Sequence, residues 1–142
     1  MTDNTTRLDH VVLWVRDPAA AAGFYERAVG LEPLRLAEFA EGTVSFPSVR
    51  VNDETILDLA PLGLAPRMDV LPGASGSAGH PVNHVCLSLP AAGFDVLRAR
   101  LQEHAVPVSK LSYDSYGARG EARRSFYFRD LDGNILEARH YD

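Results

Sequence analysis

The chain is poor in the features that would mark a secreted, membrane-bound or nucleic-acid-binding protein. It has a single cysteine, Cys86, so no intrachain disulfide can form, which fits a reducing compartment. No apolar run approaches the roughly 20 residues that a membrane-spanning helix needs. The first residues, Met1 to Arg7, are polar and lead into only a strand's worth of apolar residues. A signal peptide needs a positive start and a longer apolar stretch. Basic residues are outnumbered, 14 Lys and Arg against 19 Asp and Glu, giving a formal net charge of −5. That balance offers nucleic acid or an anionic membrane no electrostatic attraction. The expectation is a soluble cytoplasmic protein whose partner is a small molecule.

What the chain does have is enough apolar material for one core. With 142 residues and 46% hydrophobic content, it fits a single globular domain. That domain is written twice. Leu8-Asp9-His10-Val11-Val12-Leu13-Trp14-Val15 is a β-branched and apolar run that predicts a buried strand. Asp17-Pro18 then supplies an N-cap and a proline for the first helical position. The helix continues to Val29, and Gly30 is placed to end it. Val82-Asn83-His84-Val85-Cys86-Leu87-Ser88-Leu89 repeats the strand with histidine again third. Pro90 opens a second helix to about Glu103, with Phe94, Leu97 and Leu101 at helical spacing.

Strands follow in each copy, at about Leu34–Phe39, Thr43–Val51 and Thr55–Leu59, then Val106–Leu111, Ser125–Arg129 and Asn134–Tyr141. The copies also end alike, Thr55-Ile56-Leu57-Asp58 against Asn134-Ile135-Leu136-Glu137. The prediction is an α+β domain of two βαβββ modules, about 7–61 and 82–142. Between them, about 62–81, lies a linker rich in Gly, Pro, Ala and Ser.

Strand alternation puts His10 on one face with Val12 and Trp14, and His84 on one face with Cys86 and Ser88. Glu137 shares its face with Arg139 and Tyr141. If the modules pair about a pseudo-twofold axis, the histidines and the terminal carboxylates converge on one cavity. Two imidazoles and a carboxylate with open positions suit Fe(II), and also Mn, Ni or Zn. Asp58, one methylene shorter than glutamate, would reach the ion directly or through water. Taken singly, each histidine reads more simply as a strand residue satisfied by a backbone carbonyl. It is the repetition of histidine and acid that favours a metal.

With these residues assembled, the chain resembles the vicinal oxygen chelate superfamily of glyoxalases, bleomycin resistance proteins and extradiol dioxygenases. The resemblance is carried by Leu8-Asp9-His10-Val11-Val12-Leu13, Phe24-Tyr25-Glu26, Gly30-Leu31 and Asn83-His84-Val85. The most specific run is Phe126-Tyr127-Phe128-Arg129-Asp130-Leu131-Asp132-Gly133-Asn134-Ile135-Leu136-Glu137. Leu131 stands where such proteins usually have proline. The resemblance implies an open eight-stranded barrel-like sheet around a central cavity, a divalent metal, and substrates that chelate it through neighbouring oxygens. It also implies a homodimer, in some relatives with exchanged modules. His10, Asp58, His84 and Glu137 match the metal-facing positions, and Asp58 or Glu137 would move protons.

Glyoxalase-like, dioxygenase-like and fosfomycin-type thiol-transferase chemistry all remain available. Tyr127 would touch substrate in the last of these, although Val12 departs from the threonine expected there. A drug-sequestering protein of the bleomycin resistance type, without metal chemistry, is the competing class. A structural or regulatory module finds no positive feature. Trp14, Tyr116, Arg119 and Arg139 are candidate substrate contacts, the middle two on a long polar stretch at 112–124. Each has a plainer reading, as core aromatic, solvated loop or ion-pair partner. Cys86 is expected to be a buried, inert thiol, and His80, His104 and His140 structural or exposed.

Overall fold

The computed structural model describes residues 8–68, 82, 84–117 and 119–142, with Met68, Tyr116 and Gly117 described by backbone alone. Strand β1, His10–Val15, leads to Asp17, whose side chain accepts from the Ala20 amide at 3.1 Å and starts helix α1, Pro18–Phe24. The helix widens into a π-helical turn over Tyr25–Val29 and stops at Gly30, which takes the left-handed conformation at φ 87°. Glycine is needed there, because a β-carbon would land on the Arg100 guanidinium that donates to the Val29 carbonyl.

Strand β2, Glu32–Leu34, is followed by a short helix α2, Leu36–Ala40. The strand expected at 34–39 is therefore mostly helix. Arg35 turns the chain at φ 59°, and Leu, Ala and Glu favour the helix that follows. Strands β3, Ser48–Asn52, and β4, Thr55–Pro61, complete the first module, and a 3-10 turn, Leu62–Leu64, and helix α3, Ala65–Met68, come next. The rest of the expected linker, 69–81, including His80, lies outside the described residues.

The second module has β5, Val85–Ser88, and helix α4, Ala91–Glu103, whose Phe94, Leu97 and Leu101 are buried. A ribbon of β6, Tyr116–Gly117, and β7, Gly120–Glu121, precedes β8, Arg124–Arg129, and β9, Ile135–His140. The strand expected at 106–111 is reduced to isolated bridges, Val108 to Phe128 and Ser112 to Ser125. Pro107 has no amide to give to a ladder, which explains the interruption.

The described strands form three sheets, β1-β4-β3-β2, β5-β9-β8 and β6-β7. The fold is thus mixed α+β, and the eight strands are not joined in one sheet among the described residues. Both β1 and β5 are edge strands, each parallel to the last strand of its module. The core is continuous across the modules, with Leu13, Tyr25, Leu57, Phe94, Phe126 and Leu136 among its members.

Three polar ties reinforce that core. Tyr25 Oη donates to Asp130 Oδ2 at 2.9 Å, Asn134 Nδ2 to the Trp14 carbonyl at 3.2 Å, and the Arg16 amide to Asp132 Oδ1 at 2.8 Å. No described helix is long and apolar enough to cross a membrane.

Candidate functional site

The duplication written in the sequence is reproduced in strand register. Val12 lies opposite Asp58 in the parallel β1–β4 pair, and Cys86 opposite Glu137 in the parallel β5–β9 pair. Each acid therefore sits beside a residue two places beyond a histidine, on that histidine's face of the sheet. Two half-sites result, one per module.

In the second half-site His84 Nε2 is 3.3 Å from Glu137 Oε1. Glu137 is buried, and its other oxygen, Oε2, accepts from Arg139 Nη2 at 2.7 Å. A buried carboxylate with a guanidinium on one oxygen and an imidazole on the other is held in a single orientation. Tyr127, directly across the sheet from Glu137, meets the His84 ring edge-on at 5.5 Å. Desolvation, and then the Glu137 charge, push the Tyr127 phenol above its ordinary value, so it stays protonated and able to donate.

Arg139 is buried too, and its guanidinium also reaches the Ser115 carbonyl, the Ser115 hydroxyl and Tyr141 Oη at 3.2, 3.3 and 3.3 Å. Burial works against its charge. The bonds to Tyr141 and Glu137 outweigh that and hold its pKa above the ordinary arginine value.

In the first half-site His10 is exposed, and its Nδ1 lies 2.7 Å from Asp9 Oδ1. That bond is the main cause of a raised His10 pKa. Desolvation opposes it, and the Asp58 charge adds to it. Asp58 is buried and accepts from Ser48 Oγ at 2.6 Å, with Arg35 Nη2 at 3.5 Å from the same hydroxyl. Trp14 is half-buried on the His10 face.

The structure thus pairs His84 with Glu137 and sets Asp58 near His10. Among the described residues no three His, Cys, Asp or Glu side chains converge into a metal-holding group. Arg119 is exposed and lies over the Tyr141 ring at 4.7 Å. Tyr116 is placed in β6 opposite Glu121, and its side chain falls outside the described residues.

Several features differ from the sequence reading or were absent from it. Cys86 is exposed rather than buried, because β5 is an edge strand and the His84 face is open. Partial desolvation, and then the nearby Glu137 charge, push its thiol up, which keeps it in the less reactive protonated form. Ser48 and Ser115, the partners of Asp58 and Arg139, were not singled out. Ser48 lies opposite Asp58 in β3–β4, a cross-strand pairing that register reasoning could have found. His140 is structural, accepting from Arg124 Nε at 2.9 Å, and His104 caps α4.

A cavity of about 970 Å³ adjoins the second half-site. Its walls include Phe24 and Ala28 of the first helix, Val106 and Val108 before β8, and Tyr127 and His84 from the half-site. The volume and apolar walls suit an organic molecule of modest size.

The sequence profile of the Glyoxalase/Bleomycin resistance protein/Dioxygenase superfamily matches residues 7–138. The chain belongs to this superfamily. It is 27% identical over 139 residues to the virulence protein STM3117 of Salmonella typhimurium, covering 95% of this chain and 84% of that protein. Its fold is similar to that of lactoylglutathione lyase from Agrobacterium tumefaciens, with TM-score 0.67 and 21% identity over 97% of this chain and 96% of that one. It is also similar to TnmS3, an antibiotic-binding protein from Streptomyces sp. CB03234, with TM-score 0.61 and 20% identity over 99% and 100% of the two chains.

Proposed function

We propose that this superfamily member is a metal-dependent, glyoxalase- or dioxygenase-like enzyme acting on a small molecule that presents two neighbouring oxygens. The observation that carries the reading is the His84–Glu137 pair, repeated in register by His10 and Asp58 in the other module. His10, His84 and Glu137 are the ligands in this reading, and Asp58 serves either as a fourth or by steadying His10. The donor set fits, since an imidazole nitrogen and an oriented carboxylate oxygen lie 3.3 Å apart on one face. Neutral imidazole and carboxylate suit Fe(II), Mn, Ni or Zn.

A divalent ion in such a site acts as a Lewis acid that stabilises negative charge on a bound oxygen. The chain's own residues do the rest. Arg139 fixes Glu137 by taking one oxygen, which leaves the other toward His84. Tyr127, protonated at neutral pH, donates a hydrogen bond to a substrate oxygen. The walls contributed by Phe24, Val106 and Val108 exclude water from the substrate's apolar part.

Each half-site is short of ligands, and each has an unpaired strand edge beside it. The functional unit in this reading is a homodimer in which the β1 edge of one copy meets the β5 edge of its partner, so that eight strands close over the centre. Cytoplasmic location fits the lone cysteine.

The test is metal content of protein purified without an affinity tag. Near-stoichiometric Fe, Mn, Ni or Zn is expected in the wild type and not in His10→Ala, His84→Ala or Glu137→Ala. Refolding His10→Ala together with Glu137→Ala then tests whether copies share the site. Random dimers with shared sites would regain about a quarter of the wild-type content, and sites built within one chain would regain none. A wild type that takes up none of the four metals would sink the enzyme reading. It would favour drug sequestration in the cavity, for which the apolar walls and the likeness to an antibiotic-binding fold speak.

A further inference from the structure

Resting on that reading of the site, we propose that Arg139 anchors a carboxylate on the substrate and that Ser115 is its place-holder in the free protein. Ser115 offers Arg139 two oxygens from one residue, its carbonyl at 3.2 Å and its hydroxyl at 3.3 Å. Two neighbouring acceptors facing two guanidinium nitrogens form the arrangement a carboxylate makes with arginine. Here, however, the acceptors are neutral and the bonds long. Bonds from arginine to a carboxylate are shorter, about 2.7–2.9 Å, and roughly twice as strong. A carboxylate that reaches Arg139 therefore outcompetes Ser115.

Uncommitted polar groups mark the same spot. Arg139 Nε is buried and has no hydrogen-bond partner among the described residues. Ser125, opposite Arg139 in the β8–β9 register, has a buried hydroxyl in the same condition. Buried donors are normally satisfied, so these two are free for an incoming oxygen. Ser112 and Ser125 exchange backbone bonds at 2.8 and 2.9 Å, which holds the start of the Ser115 segment against this place.

Charge and spacing agree. In the free protein Glu137 neutralises Arg139. With the Glu137 charge shared with a divalent ion, the buried guanidinium needs another anion, because a buried charge without a partner is costly. Arg139 lies two residues beyond Glu137 on one strand face, a step of roughly 7 Å. The substrate class is thus a molecule with two neighbouring oxygens and a carboxylate about one aromatic ring away.

The probes are 3,4-dihydroxybenzoate, catechol and benzoate. The first two are titrated calorimetrically into zinc-loaded wild type and Arg139→Lys. The lysine variant keeps a cation beside buried Glu137 and loses only the planar fork. The wild type should bind 3,4-dihydroxybenzoate about ten- to a hundredfold more tightly than catechol. Arg139→Lys should bring that ratio to within about threefold of one. The Arg139 Nε–H resonance should shift with 3,4-dihydroxybenzoate or benzoate and not with catechol.

A wild-type ratio near one while catechol binds, or an unchanged ratio in Arg139→Lys, overturns the proposal. If zinc is not taken up, or catechol does not bind, the metal reading fails by itself. Benzoate then decides the role of Arg139: a shifted Nε–H resonance supports it, and an unmoved one overturns it.

Discussion

Replacing Tyr25 by phenylalanine deletes one oxygen and leaves the ring's packing in place, so its cost can be worked out closely. Tyr25 is fully buried in the π-helical turn, and its hydroxyl donates to Asp130 across the module boundary. Asp130 is also buried. Its other acceptor bonds come from the Asp132 amide, the Asn134 amide and the Asn134 side chain, at 2.8 to 2.9 Å. The variant keeps those three donors, so the carboxylate remains solvated by the turn and loses one neutral donor. A hydrogen bond to a charged group contributes about 1.5–3 kcal/mol. For a chain of this length, 1 kcal/mol shifts Tm by about 3 °C, so a fall of about 5–10 °C is expected.

The pH dependence gives a second readout. Burial, then the Asp130 charge, raise the Tyr25 pKa well above its ordinary value. The unfolded phenol ionises near pH 10 while the folded one keeps its proton. This stabilisation is complete below about pH 10 and is lost as pH rises toward the folded value. Wild type should therefore lose stability faster than Tyr25→Phe above about pH 10. Scanning calorimetry at pH 7 and over pH 9–11 measures both effects. A Tm change under about 2 °C, with parallel alkaline profiles, would refute a structural role for the bond.

Three further outcomes are expected. Gly30→Ala forces a β-carbon into a left-handed residue and against Arg100, and should cost about 1–2 kcal/mol in chemical denaturation. Cys86 should react with iodoacetamide in the folded state, slowly at neutral pH and faster as pH rises past the ordinary thiol value. A rate independent of pH would contradict its raised pKa. Ser48→Ala removes the hydroxyl donor of buried Asp58 and should cost about 1.5–3 kcal/mol in the same denaturation assay, unless Arg35 moves in to replace it.

Much of the architecture was legible because local signals agreed with one another. Asp17-Pro18 and Gly30 marked both ends of the first helix, and both show the expected cap geometry. The β-branched runs around His10 and His84 announced the two edge strands. Helix α2 was missed because it depends on one left-handed residue, Arg35, that carries no glycine signal. The broken strand before β8 looked continuous by its apolar residues, and Pro107 was given too little weight.

At the site, the His84–Glu137 and His10–Asp58 relationships followed from the repeat, since equal modules put equal positions in equal places. The exposure of Cys86 depends on which strand ends at a sheet edge. The engagement of Arg139 by Ser115 depends on how a long connection folds back. Neither is written in short-range periodicity.

The three polar ties between β1–α1 and the 130–134 turn join residues 105, 116 and 120 positions apart in the chain. Loop closure over such distances is entropically costly and slows folding. During synthesis, Tyr25 emerges long before the carboxylate that will accept its hydroxyl. The first module must therefore wait, incompletely sealed, until almost the whole polypeptide has left the ribosome. The last hairpin then acts as a keystone, and truncation before Asp130 would strand the earlier half rather than simply shorten the protein.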